Sequence, residues 1–183
     1  MKIKKSIIFL IVVLAGLLIY VAAGPFITIH QIKTGIDQRD SEKLSDNIDF
    51  PALRANLKEQ FNAVFMKNAA AELEDNPFAV LAIGLASKLI DGIVDAFVTP
   101  SGLASLMSGK KPEQPEEARA EGPEGQNIAV RKTELFKNAR YTYDGISKFS
   151  AWIPDEKGEE IRFVFMREVL SWKLSKIIIP LKA

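Results

Sequence analysis

The sequence predicts an α+β chain: an N-terminal transmembrane helix, then several helices packed on a C-terminal antiparallel sheet of three to four strands. Three observations lead there. Residues 6–23 carry no charge at all. Apolar residues then recur three and four apart in the first two-thirds of the chain, the period of helices. From Ala139 onward they alternate, the period of strands. Helices first and strands afterwards is the α+β order, and no internal repeat interrupts it.

The apolar run follows Lys2, Lys4 and Lys5 and extends from Ser6 to Ala23. A cleaved signal peptide has an apolar stretch of about 7–15 residues and a small-residue site, which Val21-Ala22-Ala23 would supply. A transmembrane helix needs about 17–25 apolar residues. The run reaches that range, and the apolar pattern continues past Pro25 through Phe26, Ile27, Ile29 and Ile32. An uncleaved anchor fits better. In both cases the lysines stay inside and the remainder lies outside, by the positive-inside rule. A buried core helix would show a polar stripe, and this run has none.

Ile29, Ile32 and Ile36 mark one helix face, weakened but not forbidden by Gly35. Asp40-Ser41 starts a short helix carrying Leu44 and Ile48. Asp49 reads as the N-cap of the next helix, its carboxylate accepting from free amides of the first turn, where Pro51 is tolerated. Leu53, Leu57, Phe61, Val64 and Phe65 form its apolar stripe, with Arg54, Lys58 and Glu59 facing away. Asn76-Pro77 opens a further helix, apolar from Phe78 to Val98. As a second membrane span it would bury Lys88, Asp91 and Asp95 at about 2.5–3.5 kcal/mol each, against about 0.3–0.6 kcal/mol gained per apolar residue. The three charges share one face, predicting a narrow solvated stripe on an otherwise buried helix. Thr99-Pro100-Ser101-Gly102 ends it, and a short helical turn through Leu103, Leu106 and Met107 follows.

Between Ser108 and Asn127 apolar residues nearly vanish, predicting a flexible surface loop at 108–127. Ala139 to Ile153 is rich in aromatic and β-branched residues, with Phe149, Ala151 and Ile153 alternating. Asp155-Glu156-Lys157-Gly158 reads as a hairpin turn. Strands follow from Ile161 to Arg167 and from Ser171 to Ile179, closed by Pro180. The chain thus divides into residues 1–24, a membrane anchor or signal segment, and residues 25–183, a single extracytoplasmic domain. Leu57, Phe61, Ile83 and Trp172 are its expected core.

Three of the 24 basic residues precede the apolar run, so 21 remain against 23 acidic ones, a balance of −2. That argues against a nucleic-acid partner, which requires a basic face. The chain has no cysteine and one histidine, which removes disulfides, thiolate zinc sites and paired-histidine sites. His30 lies just beyond the apolar run, in an interfacial or core position. Ser108-Gly109-Lys110-Lys111 fits the S-x-x-K acyl-transfer pattern but opens a loop instead of a rigid helix. Asp37 with Asp40, and Asp91 with Asp95, sit at helical spacing, as solvated faces usually do. No catalytic residue, metal ligand or cofactor is expected. Tyr141, Tyr143, Trp172, Trp152, Phe163 and Phe165 are core aromatics by type. The first three are the candidate ligand-binding residues, lining an apolar mouth between sheet and helix.

Gly24-Pro25, Arg39-Asp40, the segment Ile48-Asp49-Phe50-Pro51-Ala52-Leu53-Arg54 running into Leu57-Lys58, Val98 to Leu103, and Trp172-Lys173-Leu174 carry a resemblance. With these residues the chain resembles a bacterial family known as domain of unknown function 2939. The resemblance implies a small envelope protein with an N-terminal apolar segment and no known activity, and it brings no functional residues. Together with the positive-inside reading, the expectation is a single-pass protein of a bacterial inner membrane with its domain on the periplasmic or extracellular side. The order of helices and a curled sheet ending in Trp-Lys-Leu is also similar to the cone-shaped nuclear-transport-factor-two-like superfold. That fold hosts enzymes and binding modules alike, so it does not fix function. The expectation is a non-enzymatic membrane-anchored module binding a protein partner or a small apolar ligand. A carboxylate-dependent hydrolase or isomerase with a cone-shaped cavity, and a structural tether, are the alternatives.

Overall fold

The computed structural model describes residues 5–72, 78–107, 136, 138–154 and 158–180. Lys2 and Lys4, the Asn76-Pro77 helix start, the 108–127 loop with its S-x-x-K pattern, and Asp155 to Lys157 lie outside the described residues. The elements are α1 (Lys5–Gln38), α2 (Ser41–Asn47), α3 (Phe50–Glu72), α4 (Ala79–Phe97) and α5 (Pro100–Met107), then β1 (Arg140–Gly145), β2 (Lys148–Pro154), β3 (Glu160–Glu168) and β4 (Ser171–Ile178). The sheet is an antiparallel meander in the order β1-β2-β3-β4. The architecture is the α+β arrangement that the change of period predicts.

The apolar run and the Ile29–Ile32–Ile36 face form one helix, α1, with Pro25 inside it. Its large side chains are exposed from Ile7 to Leu14, whereas Ile29 and Ile32 are buried. The helix ends in a Schellman motif. Arg39 takes a left-handed φ of 57°, and Asp40 N donates to Gly35 O at 2.8 Å, satisfying a terminal carbonyl. Asp40 then caps α2, its Oδ1 accepting from Lys43 N at 2.9 Å, and Leu44 is fully buried. Asp49 caps α3 as expected, accepting from Ala52 N at 3.0 Å.

The same Asp49 donates its backbone N–H to Leu174 O at 2.9 Å, beside a parallel bridge between Ile48 and Leu174. The start of α3 is therefore fixed to β4. Farther along, Asn56 Oδ1 accepts from Ile177 N and Gln60 Oε1 from Ile179 N, each at 3.0 Å. Gln60 Nε2 donates to Ile177 O at 2.7 Å. These amides satisfy backbone groups that an edge strand would otherwise leave open for another chain. Phe149, Ala151, Phe165, Trp172 and Leu174 form the inner face of the sheet and join Ile29, Ile32, Leu44, Leu53 and Leu57 in one core. Leu57 and Trp172 are buried as expected, while Phe61 and Ile83 are only half-buried.

Two expectations about the helices are corrected. Arg54 and Lys58 do not face away from the protein. They reach α4, where Lys58 Nζ meets Asp95 Oδ2 at 2.6 Å and Arg54 Nη1 donates to Val98 O at 3.4 Å. The expected charge stripe on α4 is solvated in part, with Lys88 and Asp95 exposed and Asp91 half-buried, but the rest of the helix is not buried as expected. Asp91 and Asp95 are drawn toward the polar side of α3, and the large aliphatic residues of α4 face outward. Hydropathy identifies an apolar face; it does not supply a neighbour to cover it.

Candidate functional site

Two features remain once the core is accounted for: the seam where α1 meets the sheet, and the outer face of α4.

The seam begins with a backbone consequence of Pro25. Proline has no N–H, so the carbonyl four residues earlier loses its helical donor. That carbonyl belongs to Val21, and it accepts from the indole of Trp172 at 3.1 Å. The neighbouring Ala22 carbonyl accepts from the Tyr143 hydroxyl. Burial raises the Tyr143 phenol above its usual 10.0, so it remains a proton donor at neutral pH. Thr28 Oγ1 adds a bond of 2.9 Å to Trp172 O. Gly24 allows the contact: a Cβ there would lie 2.4 Å from Trp172 Cδ1 and 2.7 Å from its Nε1. Gly24 thus admits the indole, and Pro25 leaves a carbonyl for it to bind.

The structure brings the three sequence-predicted site residues to this seam. Tyr143 and Trp172 lie with ring centroids 6.3 Å apart, and both Tyr141 and Tyr143 touch Phe149. The space between them holds the ring of Phe26, 5.3 Å from Tyr141 and 5.2 Å from Phe149. Trp172 is 2% exposed, whereas the tyrosines keep much of their surface. Sequence reasoning grouped these aromatics without finding their partner, α1. The signal was a Gly-Pro pair inside an otherwise uninterrupted apolar helix.

Other polar clusters are bonded largely within themselves, although among the described residues Asn62 Oδ1 and Trp152 Nε1 are buried without a hydrogen-bond partner. An open cleft of about 460 Å³ between α1 and α2 is lined by His30, Thr34, Asp40, Glu42, Lys43 and Asp46 among others. Asp40 is held there by the backbone amide of Lys43, which draws its carboxyl below the usual range. On the outer face of the sheet, Ser150 Oγ donates to Asp144 Oδ2 at 2.5 Å, and Arg162 bonds both groups. Arg140 and Arg162 stack on the Trp152 ring. Ser150 is fully buried within this network. Asp91 accepts from Asn62 at 3.1 Å, so the paired carboxylates of α4 are engaged with α3. Among the described residues no cluster of three metal-ligating side chains occurs.

On α4, Leu81, Leu85, Leu89 and Ile93 recur every fourth residue, between 49% and 66% exposed. A Cβ on Gly92, in the same stripe, would meet nothing within 4 Å. Asp91 and Asp95 of this helix bond to α3, so its apolar side, flanked by the exposed Lys88, is left open.

The family described as "Protein of unknown function (DUF2939)" matches residues 14–106, just over half of the chain. The chain belongs to this family. The DUF2939 match takes in Gly24, Pro25 and the whole of α4, while Tyr143 and Trp172 lie beyond it. No curated protein and no solved structure matches the chain, so the likeness to the nuclear-transport-factor-two-like superfold stays one of pattern. Among the described residues α1 is the one helix long and apolar enough to cross a membrane; a signal sequence meets the same criterion.

Proposed function

We propose that this DUF2939 protein is a non-enzymatic envelope module, retained at the membrane by an uncleaved α1, that binds an apolar helix of a protein partner through the outer face of α4. The observation carrying this reading is the exposed stripe of Leu81, Leu85, Leu89 and Ile93. Contiguous exposed apolar surface on a soluble domain marks interaction sites. An apolar helix face laid against another is a recurrent mode of recognition. The open Gly92 lets a second backbone approach closely.

Direction supports a protein over a lipid at this face. Near its start β4 places Trp172 beside Val21, and α3 runs alongside β4 from Asp49 to Gln60. α3 therefore leads away from the apolar run. It continues twelve residues past Gln60, about 18 Å at 1.5 Å per residue. α4 returns beside it, with Asp91 at Asn62 and Asp95 at Lys58. Leu81 and Leu85 thus lie at the end farthest from the apolar run.

An uncleaved α1 is favoured by the seam. Processing after Ala23 would remove the Val21 and Ala22 carbonyls that accept from Trp172 and Tyr143. The carboxylate-enzyme reading needs an acid inside an apolar cavity. Asp144, the acid nearest the aromatics in sequence, alternates to the opposite sheet face and is paired with Arg162.

A photo-crosslinking side chain placed at Leu85 of the full chain, in living cells, tests the proposal. One discrete protein adduct is expected at Leu85, lost when Leu89→Lys is added, and none from Ala55 on the outer side of α3. Equal labelling from both positions, or adducts with lipid alone, would overturn it.

A further inference from the structure

We infer that the two hairpin tips at the anchor end of the sheet, Ile146 and Val169-Leu170, insert into the lipid bilayer beside α1, so that the domain rests on the membrane surface at a second point. This rests on α1 being the membrane anchor.

The levels follow from the seam. Tyr141 packs on Phe26 and Tyr143 reaches Ala22. Two strand residues, about 7 Å, thus match four helix residues, about 6 Å, and β1 descends along α1 toward its N-terminus. Ile146 lies three residues beyond Tyr143, up to about 10 Å lower at the strand rise. Val169 precedes Trp172 by the same three residues, and Trp172 is fixed to Val21. Both tips therefore fall beside the last turns of the apolar run, below Val21, where Leu17, Ile19 and Tyr20 are exposed. The tips are neighbours, since Arg167 N donates to Ser147 O at 2.9 Å.

Their chemistry suits that level. Ile146 is 85% and Val169 87% exposed, and Leu170 accompanies them. Val169 holds a left-handed φ of 55°, a conformation that turns normally give to glycine or asparagine and that strains a β-branched residue. An apolar side chain is thus kept at an exposed turn despite the strain. Above the tips, the exposed Tyr20 and Tyr143 form an aromatic level of the kind found at membrane interfaces. Lys148 and Arg167 stand within a few residues of the tips and can extend to headgroup phosphates. The acidic groups facing them are engaged: Asp144 with Arg162 at 2.8 Å, and Glu168 with Lys173 at 3.3 Å. Insertion of an apolar element to about 5–10 Å is the usual depth of interfacial binding, and the geometry places the tips there.

The chain has no cysteine, so single cysteines report without background. Full-length protein carrying Ile146→Cys, Val169→Cys, Leu170→Cys, Ala55→Cys or Leu14→Cys is labelled with an environment-sensitive fluorophore. It is then reconstituted in vesicles of phosphatidylcholine and phosphatidylglycerol containing spin-labelled lipid. Labels at Ile146, Val169 and Leu170 should lose roughly half their emission to a shallow quencher, as interfacial side chains do, while Ala55 is unaffected and Leu14 responds to a deep quencher. Tips quenched no more than Ala55, with Leu14 quenched, would overturn the inference and leave the anchor standing. An unquenched Leu14 would instead overturn the anchor, and the inference with it.

Discussion

Gly24→Ala perturbs the seam at its tightest point. In an isolated helix this change stabilises by about 0.5–1 kcal/mol, because alanine loses less backbone entropy. Here the added Cβ would sit 2.4 Å from Trp172 Cδ1 and 2.7 Å from Nε1, against a comfortable carbon separation of about 3.5–4.0 Å. The indole must withdraw by more than 1 Å, which overstretches its 3.1 Å bond to the Val21 carbonyl. Overpacking of this kind costs about 1–3 kcal/mol, and a buried indole N–H left without a partner adds about 1–3 kcal/mol. After subtracting the helix gain, a net loss of about 3 kcal/mol is expected. For a chain of this size it corresponds to a melting point lowered by about 6–12 °C. The assay is thermal unfolding of the full chain in detergent micelles, followed by near-ultraviolet circular dichroism, with Trp172→Leu as second background. There the obstacle is gone, and Gly24→Ala should become neutral or stabilising. A stabilising effect in both backgrounds would refute the contact between Gly24 and the indole.

Three further outcomes are expected. Gln60→Leu removes the partner of both Ile177 O and Ile179 N, so chemical denaturation should show a loss of about 1–3 kcal/mol per buried group left unpaired, with the same m-value. Burial pushes the Asp144 carboxyl up, but the Ser150 hydroxyl and the Arg162 guanidinium outweigh it and hold the group below its ordinary 3.8. A pKa lowered on folding contributes stability that is complete above the unfolded value and is lost as pH falls through the folded one. Urea midpoints should therefore drop more steeply below about pH 4 in the wild type than in Asp144→Asn; parallel curves would remove Asp144 from the acid response. Leu85→Lys should leave the melting point within the effect of an ordinary surface change, about 0.5 kcal/mol, because the side chain faces away from α3; a large loss would show that it is core.

Local features were the legible part of this fold. Asp40 and Asp49 were readable as caps because a cap needs only its own next turn, and Phe149 and Ala151 as core positions because alternation fixes the face. β1 and β2 merged into one β stretch in the sequence although Asp144-Gly145 is a hairpin dipeptide; it closes β1, and the turn itself falls one step later on the atypical pair Ile146-Ser147. The burial of α4 was misread for a different reason. Its charges were assigned to solvent, but Asp91 and Asp95 find Asn62, Lys58 and Arg54 on a helix whose polar side was itself assigned to solvent. Two polar faces that meet cannot be distinguished by periodicity from two that do not. Trp172 and Gly24 are about 150 positions apart, and no local pattern joins them. Of the candidate site, the aromatic residue types were legible, and the helix they hold was not.

Everything placed at the membrane depends on α1 running unbroken from the apolar segment into the domain. The most direct measurement is the distance distribution between spin labels at Val13→Cys and Thr142→Cys in the full chain, reconstituted in lipid nanodiscs. Both positions are exposed, one on the apolar segment and one on the outer face of β1. A single narrow distribution is expected, because one continuous helix is fixed to the sheet by Trp172 and Tyr143. A broad distribution, or a chain that begins at Gly24 and has lost the first label, would contradict it.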